Sequence, residues 1–113
     1  MKIENRIKTL LMNVGIDPAL LGFDYLVEAV KMSYENKEEL RHITTKLYPN
    51  VAVKFNTTPT RVERAMRHAI TMSSQYNTQN FEILHFMGSP ERGCLTNSQF
   101  IGACVEYLKI HEE

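Results

Sequence analysis

Two short runs of helical apolar spacing, separated by three polar residues, constrain this chain more than any other feature of its sequence. The runs are Pro49 to Phe55 and Pro59 to about Tyr76. A helix-turn-helix needs a small residue in its first helix, a turn residue that tolerates positive φ, and an apolar residue in its second helix. Ala52, Asn56 and Val62 have these properties at offsets of four and six residues. The pattern predicts a first helix over about 49–55 and a second over about 59–76. Thr58 is the predicted cap of the second helix, and Pro59 suits its first helical position.

Helical spacing of apolar residues continues on both sides of this pair of runs. It predicts helices over about 2–14, with a stop at Gly15, over 23–34, over 36–47 and over 81–87, and a last helix capped at Thr96-Asn97-Ser98. Asp17-Pro18 has the residue types of a cap and first helical position. Because no alternation typical of strands is found, we expect an all-α fold of six or seven short helices around one core, forming a single domain over 1–113.

Several functional classes find no support in the composition. Cys94 and Cys104 lack a Cys-x-x-Cys pair, and the four histidines lack the spacing of a metal site. No Gly-rich phosphate loop or nucleophile elbow is found, so we expect no metal, no cofactor and no enzymatic activity. No stretch approaches the roughly 18 apolar residues that span a bilayer, which predicts a cytoplasmic chain without a membrane partner.

Charge is concentrated in the middle of the chain, although the formal net charge is zero. Residues 41–81 hold six basic side chains against the single acid Glu63, a net of +5, whereas residues 1–40 carry −2 and residues 82–113 carry −3. Clustered Lys and Arg side chains favour binding to the phosphates of nucleic acids. The basic block coincides with the predicted helix-turn-helix, so double-stranded DNA is the predicted partner.

The polar face of the second helix combines side chains that read bases. Arg donates paired hydrogen bonds to O6 and N7 of guanine, and Glu accepts from N4 of cytosine, so this face suits a G·C-containing site. The apolar face of this helix, Val62, Ala65, Met66 and Ala69, is predicted to pack against Val51 and Phe55 of the first helix. The opposite face carries Thr60, Arg61, Glu63, Arg64, Arg67 and Thr71. Three basic residues, Arg41, Lys46 and Lys54, are candidates for phosphate contacts, as are Thr58 and Thr60. The alternative interpretation is a solvated face with an ion pair between Glu63 and Arg67.

The run NTTPTRVERAMRHAI, Asn56 to Ile70, resembles the recognition region of a known family. That family is the C-terminal effector domain of the sporulation initiation response regulator, stage-zero sporulation protein A. LYPNVAVKFN at 47–56, LTNSQFI at 95–101 and the spacing of Tyr25, Glu28, Ala29 and Tyr34 are similar to it as well. The resemblance extends over nearly the whole chain.

The resemblance implies a six-helix bacterial transcription-factor domain, located at the nucleoid when bound, that binds an element of the TGTCGAA type, often as tandem copies. It implies that Glu63, Arg64 and Arg67 lie among base and backbone contacts in the major groove, with Arg61 and His68 close behind. A structural role is the alternative for His68. The last helix, with Phe100 and Val105, is where the family would contact RNA polymerase sigma factor or a neighbouring copy.

Family members carry an N-terminal receiver domain, for which 113 residues leave no room. The sequence is therefore either an excised domain or a free-standing relative without control by phosphorylation. This departure, together with the zero net charge, leaves a second hypothesis open. The chain would then be a receiver-less interaction protein that pairs with a full-length relative and modulates it without binding DNA.

Overall fold

Helices form every regular element in the part of the chain that the computed structural model describes, residues 2–74 and 95–112. They are α1 (Ile3–Val14), α2 (Leu21–Glu35), α3 (Lys37–Arg41), a π-helical segment (Ile43–Leu47), α4 (Tyr48–Lys54), α5 (Pro59–Ser74) and α6 (Asn97–Ile110). The predicted all-α fold is confirmed. The helix predicted over 81–87, and residues 75 and 76 of the second run, lie outside the described residues. None of the described helices has the length and apolar character needed to cross a membrane.

Helix α2 lies at the centre of the fold and contacts each of the other five α-helices. Nine of its fifteen residues are buried, including Leu26, Ala29 and Val30, which are fully enclosed. A helix buried on most of its surface must carry apolar or small residues on most faces, and α2 does. The helices that surround it are therefore positioned by one shared core.

The helix ends next to α2 agree only partly with the sequence-based prediction. Helix α1 stops at Gly15, as predicted, with φ of 102°. The amides of Gly15 and Ile16 donate to the carbonyls of Met12 and Leu11, which closes the end of the helix. The prediction of a helix start at Asp17-Pro18 is wrong, because the Asp17 carboxylate accepts from the Ala19 amide at 2.9 Å within a turn and α2 begins only at Leu21.

The predicted helix over 36–47 is interrupted. Asn36 caps α3 by accepting from the Glu38 amide at 3.0 Å. Helix α3 then ends at His42, whose backbone has φ of −117° and ψ of 54°. The His42 carbonyl accepts from the Leu47 amide at 3.3 Å, the five-residue spacing of a π-helix. The break precedes Ile43-Thr44-Thr45, a β-branched run that disfavours α-helix, and the chain continues directly into α4.

Candidate nucleic-acid interface

Helices α4 and α5 are joined by the four-residue turn 55–58, whose geometry agrees with the sequence pattern. Asn56 has φ of 52°, which confirms the predicted left-handed turn residue. The Asn56 amide donates to the Val53 carbonyl at 3.3 Å, and the Thr57 amide donates to the Ala52 carbonyl at 2.9 Å. This pair of hydrogen bonds is the Schellman arrangement, which ends α4 sharply and redirects the chain.

Helix α5 begins with the predicted cap. The Thr58 hydroxyl accepts from the Arg61 amide at 3.3 Å, and the Thr58 carbonyl accepts from the Val62 amide at 3.0 Å. Pro59 is the first helical residue, where a missing amide hydrogen costs nothing. The start of α5 is therefore fixed by two consecutive residues, Thr58 and Pro59.

The two helices pack through small and branched side chains. Val51 and Ala52 from α4 are buried, as are Val62 and Met66 from α5. Phe55 is half-buried, with its ring centroid 5.0 Å from that of Tyr25 on α2 and the rings tilted by 59°. The predicted interhelical face is confirmed, and it also extends to the central helix.

The opposite face of α5 presents the predicted base readers together. Its exposed residues in the N-terminal and middle turns are Thr60, Arg61, Arg64, Arg67 and His68. Glu63 is half-buried, and its Oε1 lies 3.6 Å from Nε of Arg67. The ion pair of the alternative interpretation is therefore present. It leaves the Arg67 side chain 63% exposed and so accessible to a ligand.

The three predicted phosphate-binding cations are not equally placed. Lys46 is exposed on the π-helical segment. Nη1 of Arg41 lies 3.0 Å from a Glu38 carboxylate oxygen, and Arg41 lines a cleft between α3 and α6. Nζ of Lys54 lies 2.7 Å from Oε2 of Glu28. Two of the three cations are thus engaged by carboxylates.

A family model described as "Sporulation initiation factor Spo0A C terminal" matches residues 7–108 of this chain. The match includes all of α4, the turn and α5, and ends two residues before the end of α6. The chain belongs to this family. It is thus a sporulation-type DNA-binding effector domain, and the Spo0A C-terminal family is a family of regulators rather than enzymes.

Sequence reasoning missed a buried amide that joins both helices of this Spo0A-type helix-turn-helix to α6. Nδ2 of Asn97 donates to the Tyr48 hydroxyl and to the Glu63 carbonyl, both at 3.1 Å. Burial raises the pKa of Tyr48, and the hydrogen bond from Asn97 partly opposes that shift. The sequence Thr96-Asn97-Ser98 predicts only a helix cap, which Thr96 provides through a capping box with Gln99.

The central helix approaches α5 very closely at Gly22. A Cβ atom placed on Gly22 would lie 2.7 Å from Cβ of Ala69 and closer still to the Ala65 carbonyl oxygen. Only a residue without a side chain allows this approach. Gly22 therefore belongs inside α2 as part of the support for α5, and not before the helix as its position in the apolar pattern suggested.

Phe100 and Val105, the candidate partner contacts on α6, are 2% and 3% exposed. Both pack in the shared core. The family resemblance implies partner contacts on this helix, but these two apolar side chains occupy core positions instead. In this conformation the surface of α6 is formed instead by residues such as Ser98, Glu106 and Ile110.

Proposed function

We propose that this domain regulates transcription by inserting the N-terminal half of α5 into the major groove of a TGTCGAA-like site in double-stranded DNA. One observation carries the proposal. The exposed face of α5 combines Arg61, Arg64 and Arg67, while the opposite face of the same helix is locked into the core by Val62 and Met66. A rigid helix with outward guanidinium groups is suited to direct readout of base edges.

Arg64 and Arg67 are assigned to guanine, whose O6 and N7 accept the two parallel hydrogen bonds that a guanidinium donates. Glu63 is assigned to the N4 amine of a cytosine. The 3.6 Å ion pair holds the Glu63 carboxylate, a hydrogen-bond acceptor, beside the Arg67 guanidinium, a donor. Neighbouring cytosine and guanine bases require this combination of acceptor and donor. Arg61 precedes these three residues along α5 and His68 follows them; both are exposed, and they complete the proposed base contacts.

Phosphate contacts are assigned to residues around the start of α5 and on the adjoining segment. Thr58 and Thr60 are exposed where the helix dipole favours anions, and Lys46 is exposed on the π-helical segment. Arg41 and Lys54 would have to exchange a carboxylate for a phosphate, so we assign them a smaller contribution. Phe100 and Val105 are buried and anchor α6 in the core. Sigma factor, or a second copy on tandem sites, would therefore bind through the exposed residues of α6.

Substitution of the two central arginines tests the base assignment. Arg64→Ala and Arg67→Ala are each expected to weaken binding to a TGTCGAA-containing duplex by about 10-fold or more, and to weaken binding to a scrambled duplex much less. Lys37→Ala is the matched control, because Lys37 is an exposed cation on α3, outside the α5 face. Mobility-shift titrations measure the affinity of each variant for both duplexes. Equal losses on the two duplexes would contradict the assignment of base contacts.

Salt dependence tests whether the domain binds DNA at all. Release of counterions predicts that affinity for a labelled duplex falls steeply between two salt concentrations, as measured by fluorescence anisotropy. No salt-dependent binding at micromolar protein would overturn the proposal. That result would favour a receiver-less protein that acts by pairing with a full-length relative.

A further inference from the structure

Three elements that are far apart in sequence meet at one side-chain amide. Asn97 lies at the start of α6, 49 residues from Tyr48 and 34 residues from Glu63. It is 8% exposed, and its Nδ2 donates to the Tyr48 hydroxyl at the first residue of α4 and to the Glu63 carbonyl in α5. Both hydrogens of the amide nitrogen are used, one on each helix of the helix-turn-helix.

The contact with the Glu63 carbonyl matters because of where Glu63 lies in α5. Glu63 lies one turn from the start of α5, between the exposed Arg61 and Arg64. The Thr58 cap holds the N-terminal end of α5, and the core contacts of Val62 and Met66 hold its inner face. The hydrogen bond from α6 to the Glu63 carbonyl adds a directional restraint on the tilt of these first turns, which apolar packing does not provide.

The tilt matters differently for the two kinds of DNA contact. A bidentate contact to a base needs its donors placed to within about 0.5 Å, whereas phosphates carry charge along the whole backbone and tolerate a displaced cation. Loss of the restraint should therefore reduce sequence-specific affinity more than nonspecific affinity. General destabilisation of the fold would lower the active concentration on both duplexes equally.

We propose that Asn97 is a positioning residue for DNA recognition, which sets the orientation of α5 by joining it to Tyr48 of α4 through a single amide. This inference rests on the proposed function. Asn97 touches no base in this assignment and acts through Glu63 and its neighbours. The Oδ1 atom of Asn97 is buried without a hydrogen-bond partner in the described structure, so the contact of the amide nitrogen accounts for the orientation of the side chain.

The experiment compares three variants by the ratio of affinities for a TGTCGAA-containing duplex and a scrambled duplex, at a temperature where circular dichroism shows each variant fully folded. Asn97→Ala is expected to lower the ratio by roughly 5- to 20-fold, because base contacts lose their geometry while phosphate contacts persist. Tyr48→Phe removes only one of the two bonds and should lower it by roughly 2-fold. The double variant should be no worse than Asn97→Ala, since both changes act on one network.

Gln99→Ala is the matched control. It removes the side-chain half of the capping box at the same end of α6 without touching α4 or α5, so it destabilises the same helix and should leave the ratio unchanged. A ratio that stays at the wild-type value in Asn97→Ala, or that falls equally in Gln99→Ala, overturns the inference. If Asn97→Ala does not fold, an unchanged ratio in Tyr48→Phe overturns it as well. Absence of any preference in the wild-type chain would instead refute the proposed function, and the inference with it.

Discussion

At the scale of single residues, Lys54 shows how a neighbour decides what a charged side chain does. Its Nζ lies 2.7 Å from a carboxylate oxygen of Glu28, whose side chain is only 9% exposed. A buried carboxylate is costly unless a cation and hydrogen-bond donors satisfy it. Lys54 therefore stabilises the junction of α2 and α4 before it can contribute to any phosphate contact.

Removal of this lysine should cost stability. Lys54→Met leaves the Glu28 carboxylate buried without its cation, and we expect the free energy of unfolding to fall by about 1–2 kcal/mol, a value lowered because Lys54 itself is half-exposed. Urea titration followed by circular dichroism measures the loss. Lys46→Met, at an exposed lysine of the same basic segment, should change it by less than about 0.5 kcal/mol.

The same pair of variants separates a structural lysine from a phosphate-binding one. If Lys54→Met leaves stability unchanged but lowers the salt slope of DNA binding by about one, Lys54 contacts a phosphate, as the sequence pattern suggested. Lys46→Met is the variant expected to lower the slope. The sequence predicts a phosphate contact for both Lys46 and Lys54. Only the neighbouring Glu28 carboxylate, which contacts Lys54, distinguishes the two lysines.

At the scale of elements, the features that sequence predicts well are those set by neighbouring residues. The turn at Asn56, the cap at Thr58 and the stop at Gly15 depend on contacts within a few residues, and all three were predicted. The start of α2 and the break at His42 were not. The start of α2 depends on its close packing against α5, which no local pattern encodes. The β-branched run after His42 disfavours α-helix but does not fix the residue at which the helix breaks, because the chain must also join α4 there.

Gly22 and Gly102, the two glycines inside the described helices, give a matched test of close helix packing. Gly22→Ala would place a methyl group against the backbone and side chains of α5, and we expect it to lower the free energy of unfolding by about 1–3 kcal/mol. Gly102→Ala places its Cβ 3.5 Å from Leu40, an ordinary contact, so gain of helix propensity should raise stability by about 0.5–1 kcal/mol. Thermal denaturation of the two variants measures the opposite signs.

Stabilisation by both substitutions would contradict this account of α2. It would mean that α2 and α5 can separate without cost, and that the orientation of α5 is not fixed by its contact with the central helix. If Gly22→Ala destabilises the domain and Gly102→Ala stabilises it, the packing of α2 on α5 depends on the short distance between the two helices at Gly22. Helix propensity alone predicts that both substitutions stabilise.

At the scale of the whole molecule, the sequence predicts the exposed face of the candidate site but not the contacts that hold α5 in place. Helical geometry places Arg61, Arg64 and Arg67 together whatever the rest of the chain does. The amide of Asn97 reaches that helix from a distant segment, and its role follows only from tertiary packing. Phe100 is an apolar residue on a helix that the resemblance assigns to partner contacts. Its residue type alone does not tell whether it lies in the core or contacts a partner.

The core itself predicts how one thiol will react. Cys104 is fully buried among the core side chains of α6, and burial raises the pKa of its thiol, so little thiolate forms at pH 8 in the folded state. We expect iodoacetamide to modify Cys104 only through global unfolding, at a rate that follows the unfolded fraction as urea is added. Peptide mapping by mass spectrometry separates this site from Cys94. Rapid modification of Cys104 without urea would mean that α6 detaches while the other helices stay folded, and α6 could not then hold α5 through Asn97.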